Sequence, residues 1–153
     1  MANWVRFADT KATILFAGLG VALTMMMSKA PTIVDATKTG CKSACAVGIL
    51  VALTGAALLW TLGWLVAVIG PRRRIAYARL NRFAWPSLVS ATVADIDEHA
   101  ATARLQDDAW QQVLDLSRLA EKKFGACGMA VWGFAAFVVF GVCCVIVATW
   151  VTA

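Results

Sequence analysis

Charge is scarce in this sequence, and it is missing in blocks. No charged residue lies between Lys11 and Lys29, between Lys42 and Arg72, or after Lys123. Only 15% of the 153 residues are charged, where a soluble domain carries about a quarter. A soluble core helix shows a polar face on every turn, and these stretches show none, which excludes that setting for them. Histidine is reduced to His99 alone. There is no Gly-rich phosphate loop, no G-x-S-x-G and no H-E-x-x-H. Strand-like alternation and internal repeats are missing as well. No catalytic residue is expected.

What fills the gaps is apolar: 61% of the residues are hydrophobic and the mean hydropathy is +0.74. About 20 such residues cross a bilayer core of roughly 30 Å. The pattern predicts an all-α integral membrane protein with three transmembrane helices and a cytoplasmic helical segment between the second and third. The divisions are an N-terminal tail (1–11), transmembrane helix 1 (12–28), an outer loop (29–43), transmembrane helix 2 (44–69), the helical segment (70–125) and transmembrane helix 3 (126–153). Lys11 and Lys29 flank the first span and can snorkel to the two interfaces. Acidic Asp9, and Met25, Met26 and Met27 where a small-residue cleavage site would stand, argue for a retained span over a signal peptide.

Orientation follows from Lys and Arg. The tail and the 71–125 segment share a side and hold eleven basic residues, against three (Lys29, Lys38, Lys42) on the other. The positive-inside rule puts the N-terminus and residues 71–125 in the cytoplasm and the C-terminus outside. The net charge of +5 therefore reads as topology, and a nucleic acid polymer is not an expected partner.

The segment between the second and third spans is itself divided by charge. Residues 72–82 carry Arg72, Arg73, Arg74, Arg79 and Arg82 without an acid; residues 95–121 carry seven acids. Trp85-Pro86 breaks the chain between them. Thr92 with Asp95 three residues on predicts a helix start. Leu105, Val113, Leu116, Leu119 or Ala120, and Phe124 recur at helical spacing, in a stripe that continues into the third span.

Among candidate sites, His99 reads as part of a solvated helix face, and Asp107 and Asp108 diverge by about 100° on a helix, so they do not converge on a substrate. The five cysteines are spread along the chain and make no metal site. Cys41 and Cys45 are either a disulfide or two free thiols. Gly48, Ala52 and Ala56, Ala126 and Ala130, and Gly133 and Gly141 are small residues that let helices approach closely, within one protomer or between protomers. Arg72, Arg73, Arg74, Arg79 and Arg82, with Tyr77, Phe83, Trp85 or Trp110 as a stacking surface, could hold an anion or meet lipid headgroups. No ionisable residue sits inside a span, which disfavours an ion-coupled transporter and ranks an exporter low.

Three stretches carry a resemblance. FADTKAT (Phe7 to Thr13), leading into the first span, resembles the D-x-K-A motif of the Pycsar transmembrane effectors. PRRRIAYARLNRFAWPSLVSATVADI, after the second span, is similar to that family's Pro-Arg, Asn, aromatic, Ser pattern. DLSRLAEKKFGACG resembles its L-x-x-L-A-x-x-K helix entering the last span. The match runs in order over nearly the whole chain. The resemblance implies an inner-membrane antiphage effector without enzymatic activity or bound cofactor. Cyclic UMP or cyclic CMP from a partner uridylate or cytidylate cyclase activates such a protein, which then damages the bilayer and aborts the infection. Asp9, Lys11, Arg72, Asn81 and Trp85 match pattern positions. The resemblance carries no ligand set with it; the basic and aromatic residues themselves make Arg72, Arg73, Arg74, Arg79, Asn81, Arg82 and Trp85 the expected ligand contacts, in a sensor segment that acts as part of a homo-oligomer. The alternative is a small structural or signalling subunit of a membrane complex with no ligand of its own.

Overall fold

The computed structural model describes residues 2–70 and 80–152; the basic run Arg72–Arg74, Tyr77 and Arg79 lie outside the described residues. Six helices follow in order, α1 (Ala2–Ser28), α2 (Ala30–Lys38), α3 (Cys41–Ile69), α4 (Trp85–Leu88), α5 (Val93–Thr102) and α6 (Leu105–Thr152), and no strand occurs among the described residues. Three of them, α1, α3 and α6, are long and apolar enough to cross a membrane.

Side-chain pairings set the directions of these three. Asp9 meets Lys123, a Cβ on Gly18 would touch Phe134, and Gly141 faces Met26, so α1 and α6 run parallel. Thr61 faces Gly133, while Val47 packs near Cys144 and Ala148, so α3 runs antiparallel to both. The inward face of α6 within the apolar region recurs every three or four residues, at Ala126, Ala130, Gly133, Phe137, Gly141, Cys144 and Ala148. Phe137, Leu65 and Val68 join Ala12, Leu19 and Ala130 in the main core cluster. Buried Thr54 and Thr61 donate their hydroxyls to the Leu50 and Ala57 carbonyls, each at 2.7 Å, and so bring no unpaired polar atom into the apolar interior.

The small residues separate into two groups. Gly133 is required by packing, since a Cβ there would lie 2.6 Å from Thr61 Oγ1 and 3.3 Å from Thr61 Cα. Ala126, Ala130 and Gly141 are buried in the same protomer. Gly48, Ala52 and Ala56 instead point outward, and nothing lies within 4 Å of a Cβ built on Gly48.

Two stretches differ from the sequence expectation. Residues 29–43, expected as a loop, carry the nine-residue α2. Pro31 stands in its first turn, where a missing N–H costs nothing and the fixed φ favours helix. The same proline cannot continue α1, so the chain kinks at Lys29, whose N–H still bonds the Met26 carbonyl at 3.0 Å. The tail is helical too, because α1 starts at Ala2. At the far end of α3 the stop expected at Gly70-Pro71 is present: a Cβ on Gly70 would sit 2.7 Å from the Val66 carbonyl oxygen.

The stripe leading into the third span continues unbroken, and α6 is one helix of 48 residues, about 72 Å long. Its first 19 residues, Leu105 to Lys123, extend past the apolar stretch as a stalk. Cys41 and Cys45 are free thiols on the first turns of α3, where helical backbone holds neighbouring side chains apart.

Candidate functional site

Outside the spans, polar groups converge where the connector at residues 80–91 folds against the start of α6. Asn81 organises the connector and is 2% exposed. Its side-chain Nδ2 donates to the Asp108 carbonyl at 2.9 Å, and its Oδ1 accepts from the Phe83 N–H at 2.9 Å. Its own N–H donates to Ser87 Oγ at 3.1 Å, and its carbonyl accepts from the Ala84 N–H at 3.1 Å. All four hydrogen-bonding groups of this asparagine are used inside the chain, which is why a buried amide is tolerated there. Pro86 lies in the first turn of the short α4; the extended residue is the N-cap Ala84, while Trp85, expected outside the helical region, opens the helix, because proline is tolerated in a first turn.

Arg82 and His99 meet on one carboxylate. Arg82 Nε donates to Asp108 Oδ2 at 2.8 Å and Nη2 to the Ala103 carbonyl at 2.9 Å. His99 Nε2 stands 3.1 Å from both Asp108 oxygens. Side-chain exposure is only 8% at Asp108 and 18% at His99. His99 is therefore not on a solvated face, as its acidic neighbours in sequence suggested; nine residues of chain return it to Asp108. Burial pushes the Asp108 carboxyl up, but the hydrogen bonds and charges of Arg82 and His99 outweigh it and hold it below the ordinary carboxylate range. Asp107, one residue earlier, is exposed, as the divergence of adjacent helical positions requires.

A groove of about 410 Å³ opens beside this cluster, lined by Leu80, Ser87, Ser90, Ala91, Asp95, Glu98, His99 and Thr102. One wall is α5, started by the capping box that Thr92 and Asp95 predict. The Thr92 hydroxyl accepts from the Asp95 N–H at 3.2 Å, and Asp95 Oδ2 accepts from the Thr92 N–H at 2.8 Å. The Thr92 N–H and hydroxyl, which donate to Asp95 Oδ2 at 2.8 and 2.7 Å, lower the Asp95 pKa. Among the described residues no cluster of three or more His, Cys, Asp or Glu could hold a metal ion.

A second polar contact ties the stalk to α1. Asp9 Oδ1 accepts from Lys123 Nζ at 2.7 Å, and Lys123 is 12% exposed against 46% for Asp9. The D-x-K-A motif and the last lysine of the L-x-x-L-A-x-x-K helix thus meet directly. Lys11 turns elsewhere, its Nζ 4.5 Å from the centre of the Phe7 ring one turn back.

Of the expected ligand contacts, Asn81 and Arg82 lie beside the groove with their described bonds directed into the chain. Trp85 opens α4, and Arg72, Arg73, Arg74 and Arg79 lie outside the described residues. Asp108 and His99 were missed, because the stripe of apolar residues along α6 gives no sign that an acid joins its inward face. Four-residue spacing from Asp108 to the half-buried Gln112 and Leu116 was the available clue.

Fold and site together define a three-span, all-helical membrane protein whose last helix runs on as a stalk beneath a polar, folded connector. A family model described as the Pycsar effector protein domain matches residues 1–152, and the chain belongs to that family. This is a non-catalytic effector family, and membership supports an antiphage effector role. No curated protein and no solved structure matches the chain.

Proposed function

We propose that the protein is the membrane effector of a Pycsar antiphage system. It binds cyclic UMP or cyclic CMP made by a partner cyclase, then impairs the inner membrane so that the infected cell stops growing before phage mature. The observation that carries this reading is the family match over residues 1–152. In it, the N-terminus and residues 71–125 face the cytoplasm, as the eleven-to-three division of basic residues favours.

In this reading the two halves of the ligand are held by different groups. Asp95 and Glu98 on the groove would repel a phosphate, so the groove takes the hydrogen-bond donors of the ribose and pyrimidine. The phosphate turns to Arg72, Arg73, Arg74 and Arg79, where guanidinium forks match its oxygens. Three helices cannot enclose a water-filled path, so damage to the bilayer requires a homo-oligomer. The ligand shifts that oligomer only by its differential affinity for the active state.

The test replaces Arg72, Arg73 and Arg74 with Gln and measures binding of both cyclic nucleotides in detergent, with membrane depolarisation in cells carrying the cyclase. Tenfold or greater loss of binding together with loss of depolarisation is expected. Unchanged binding removes the basic run from the site. A wild-type protein that binds neither nucleotide overturns the reading.

A further inference from the structure

The face of α6 opposite its packed side is exposed along the whole helix. It recurs every three or four residues from Trp110 and Leu114 in the stalk, through Gly125 and Gly128, to Trp132 and Val139 in the apolar stretch. Trp110 is 67% exposed, Leu114 51%, Trp132 76% and Val139 57%. Within the bilayer such a face is ordinary, because lipid covers it. In the stalk it is not.

Distance decides the matter. Leu114 lies ten residues, about 15 Å, below the start of the apolar stretch at Phe124, and Trp110 one turn further. The headgroup layer adds only roughly 5–8 Å on a side, and a typical tilt of about 20° shortens the distance little. Lipid therefore cannot reach Trp110 and Leu114. A single cover for the whole stripe would cross the bilayer and continue alongside the stalk. The α6 helix has that shape.

We infer that this stripe is the interface between α6 helices of two copies of this chain, running parallel from the stalk through the membrane. This gives the oligomer of the proposed function its contact surface, and it does not depend on the messenger. Two further features fit a second copy. Nothing lies within 4 Å of a Cβ built on Gly125 or Gly128, although glycine in a helix interior costs roughly 1 kcal/mol against alanine. No packing within the protomer accounts for that cost, and close approach of a second backbone does. Between the apolar ends, exposed Arg118 and Glu121 stand on or beside the stripe one turn apart. Arg118 Nη1 lies a loose 3.9 Å from Asp115 Oδ1 on its own helix, and in a parallel pair its exposed guanidinium also comes within reach of the second copy's carboxylate.

The experiment is oxidative cross-linking in native membranes, with the five cysteines replaced by alanine and single cysteines introduced. Leu114→Cys and Val139→Cys should each convert most of the chain to a disulfide-linked dimer. Lys122→Cys, exposed but about 80° around the helix, should stay monomeric. A dimer at Val139→Cys without one at Leu114→Cys would confine the contact to the bilayer and overturn the proposal, as would no cross-link at either site. Equal cross-linking at Lys122→Cys would reveal random collision and overturn it too. Should the cysteine-free protein fail to fold, Trp110→Glu with Leu114→Glu in the native sequence gives a second reading. Native mass spectrometry in detergent should show loss of the oligomer; an unchanged oligomer rejects the interface.

Discussion

Asp9 and Lys123 form an ion pair of 2.7 Å across 114 residues of sequence, fastening the start of α1 to the end of the stalk. Both residues belong to motifs that carry the family resemblance. Their contact gives those motifs a shared role in holding α1 parallel to α6. The nearly buried Lys123 amine donates to a carboxylate there, while the more exposed Asp9 keeps water access.

That exposure bounds the energy. A double-mutant cycle of Asp9→Asn and Lys123→Met, read by thermal unfolding in detergent, should give a coupling of about 0.5 kcal/mol. The reversed pair, Asp9→Lys with Lys123→Asp, should recover most of the loss. A coupling indistinguishable from zero would reduce the contact to chance proximity.

Asp108 should matter more, since Arg82 and His99 both depend on it and it is 6% exposed. Asp108→Asn is expected to destabilise the connector by about 3 kcal/mol, because it leaves a half-buried guanidinium without its counter-charge. Hydrogen exchange over residues 80–102 measures this. Protection unchanged there would refute the role.

The sign of the pH dependence follows from the same carboxylate. Its folded pKa is depressed, so its stabilisation is fully present above the ordinary carboxylate pKa of about 3.9. Stability is lost as pH falls below that value and toward the lowered folded pKa. Unfolding of the connector on acidification should therefore begin near pH 4 (about one ordinary carboxylate pKa) in the wild type, and this step should be missing in Asp108→Asn.

Gly133→Ala should cost about 1–3 kcal/mol, since the added methyl meets Thr61 Oγ1 and the α3 backbone must retreat. Gly63→Ala, on α3 where nothing lies within 4 Å, should be neutral or slightly stabilising. Thermal unfolding of the two variants side by side makes the comparison. Equal effects would mean that the α3–α6 contact is looser than the distances state.

Thr92→Ala removes the cap of α5 and should cost about 1 kcal/mol locally. The amides of the first turn, residues 93–96, should exchange roughly fivefold faster, by the same energy. Faster exchange spread evenly over α5 and α6 would point to a global effect instead.

How far the sequence could be read varied by element, and the reason is range. The stop of α3 at Gly70, the Thr92–Asp95 cap and the unbroken α6 all rest on neighbours a few residues apart, and spacing exposes such interactions. Residues 29–43 misled because Thr, Pro and Gly are common in turns, yet Pro31 in a first turn starts a helix as readily as it ends one. His99 misled because its neighbours in sequence are solvated acids, while its neighbour in space is Asp108.

Composition and spacing alone determined that this chain enters a membrane, that three stretches cross it, and that those stretches are helices, because transfer of apolar residues and backbone hydrogen bonding in lipid act on each segment locally. Tertiary structure decided which face of each helix turns inward: Gly133 against Thr61, but Gly48 and Gly125 open. It also decided which distant polar groups share a partner, as Asn81, Arg82 and His99 share Asp108. Those outcomes depend on the relative rotation of packed helices, and no local spacing along one chain specifies that rotation.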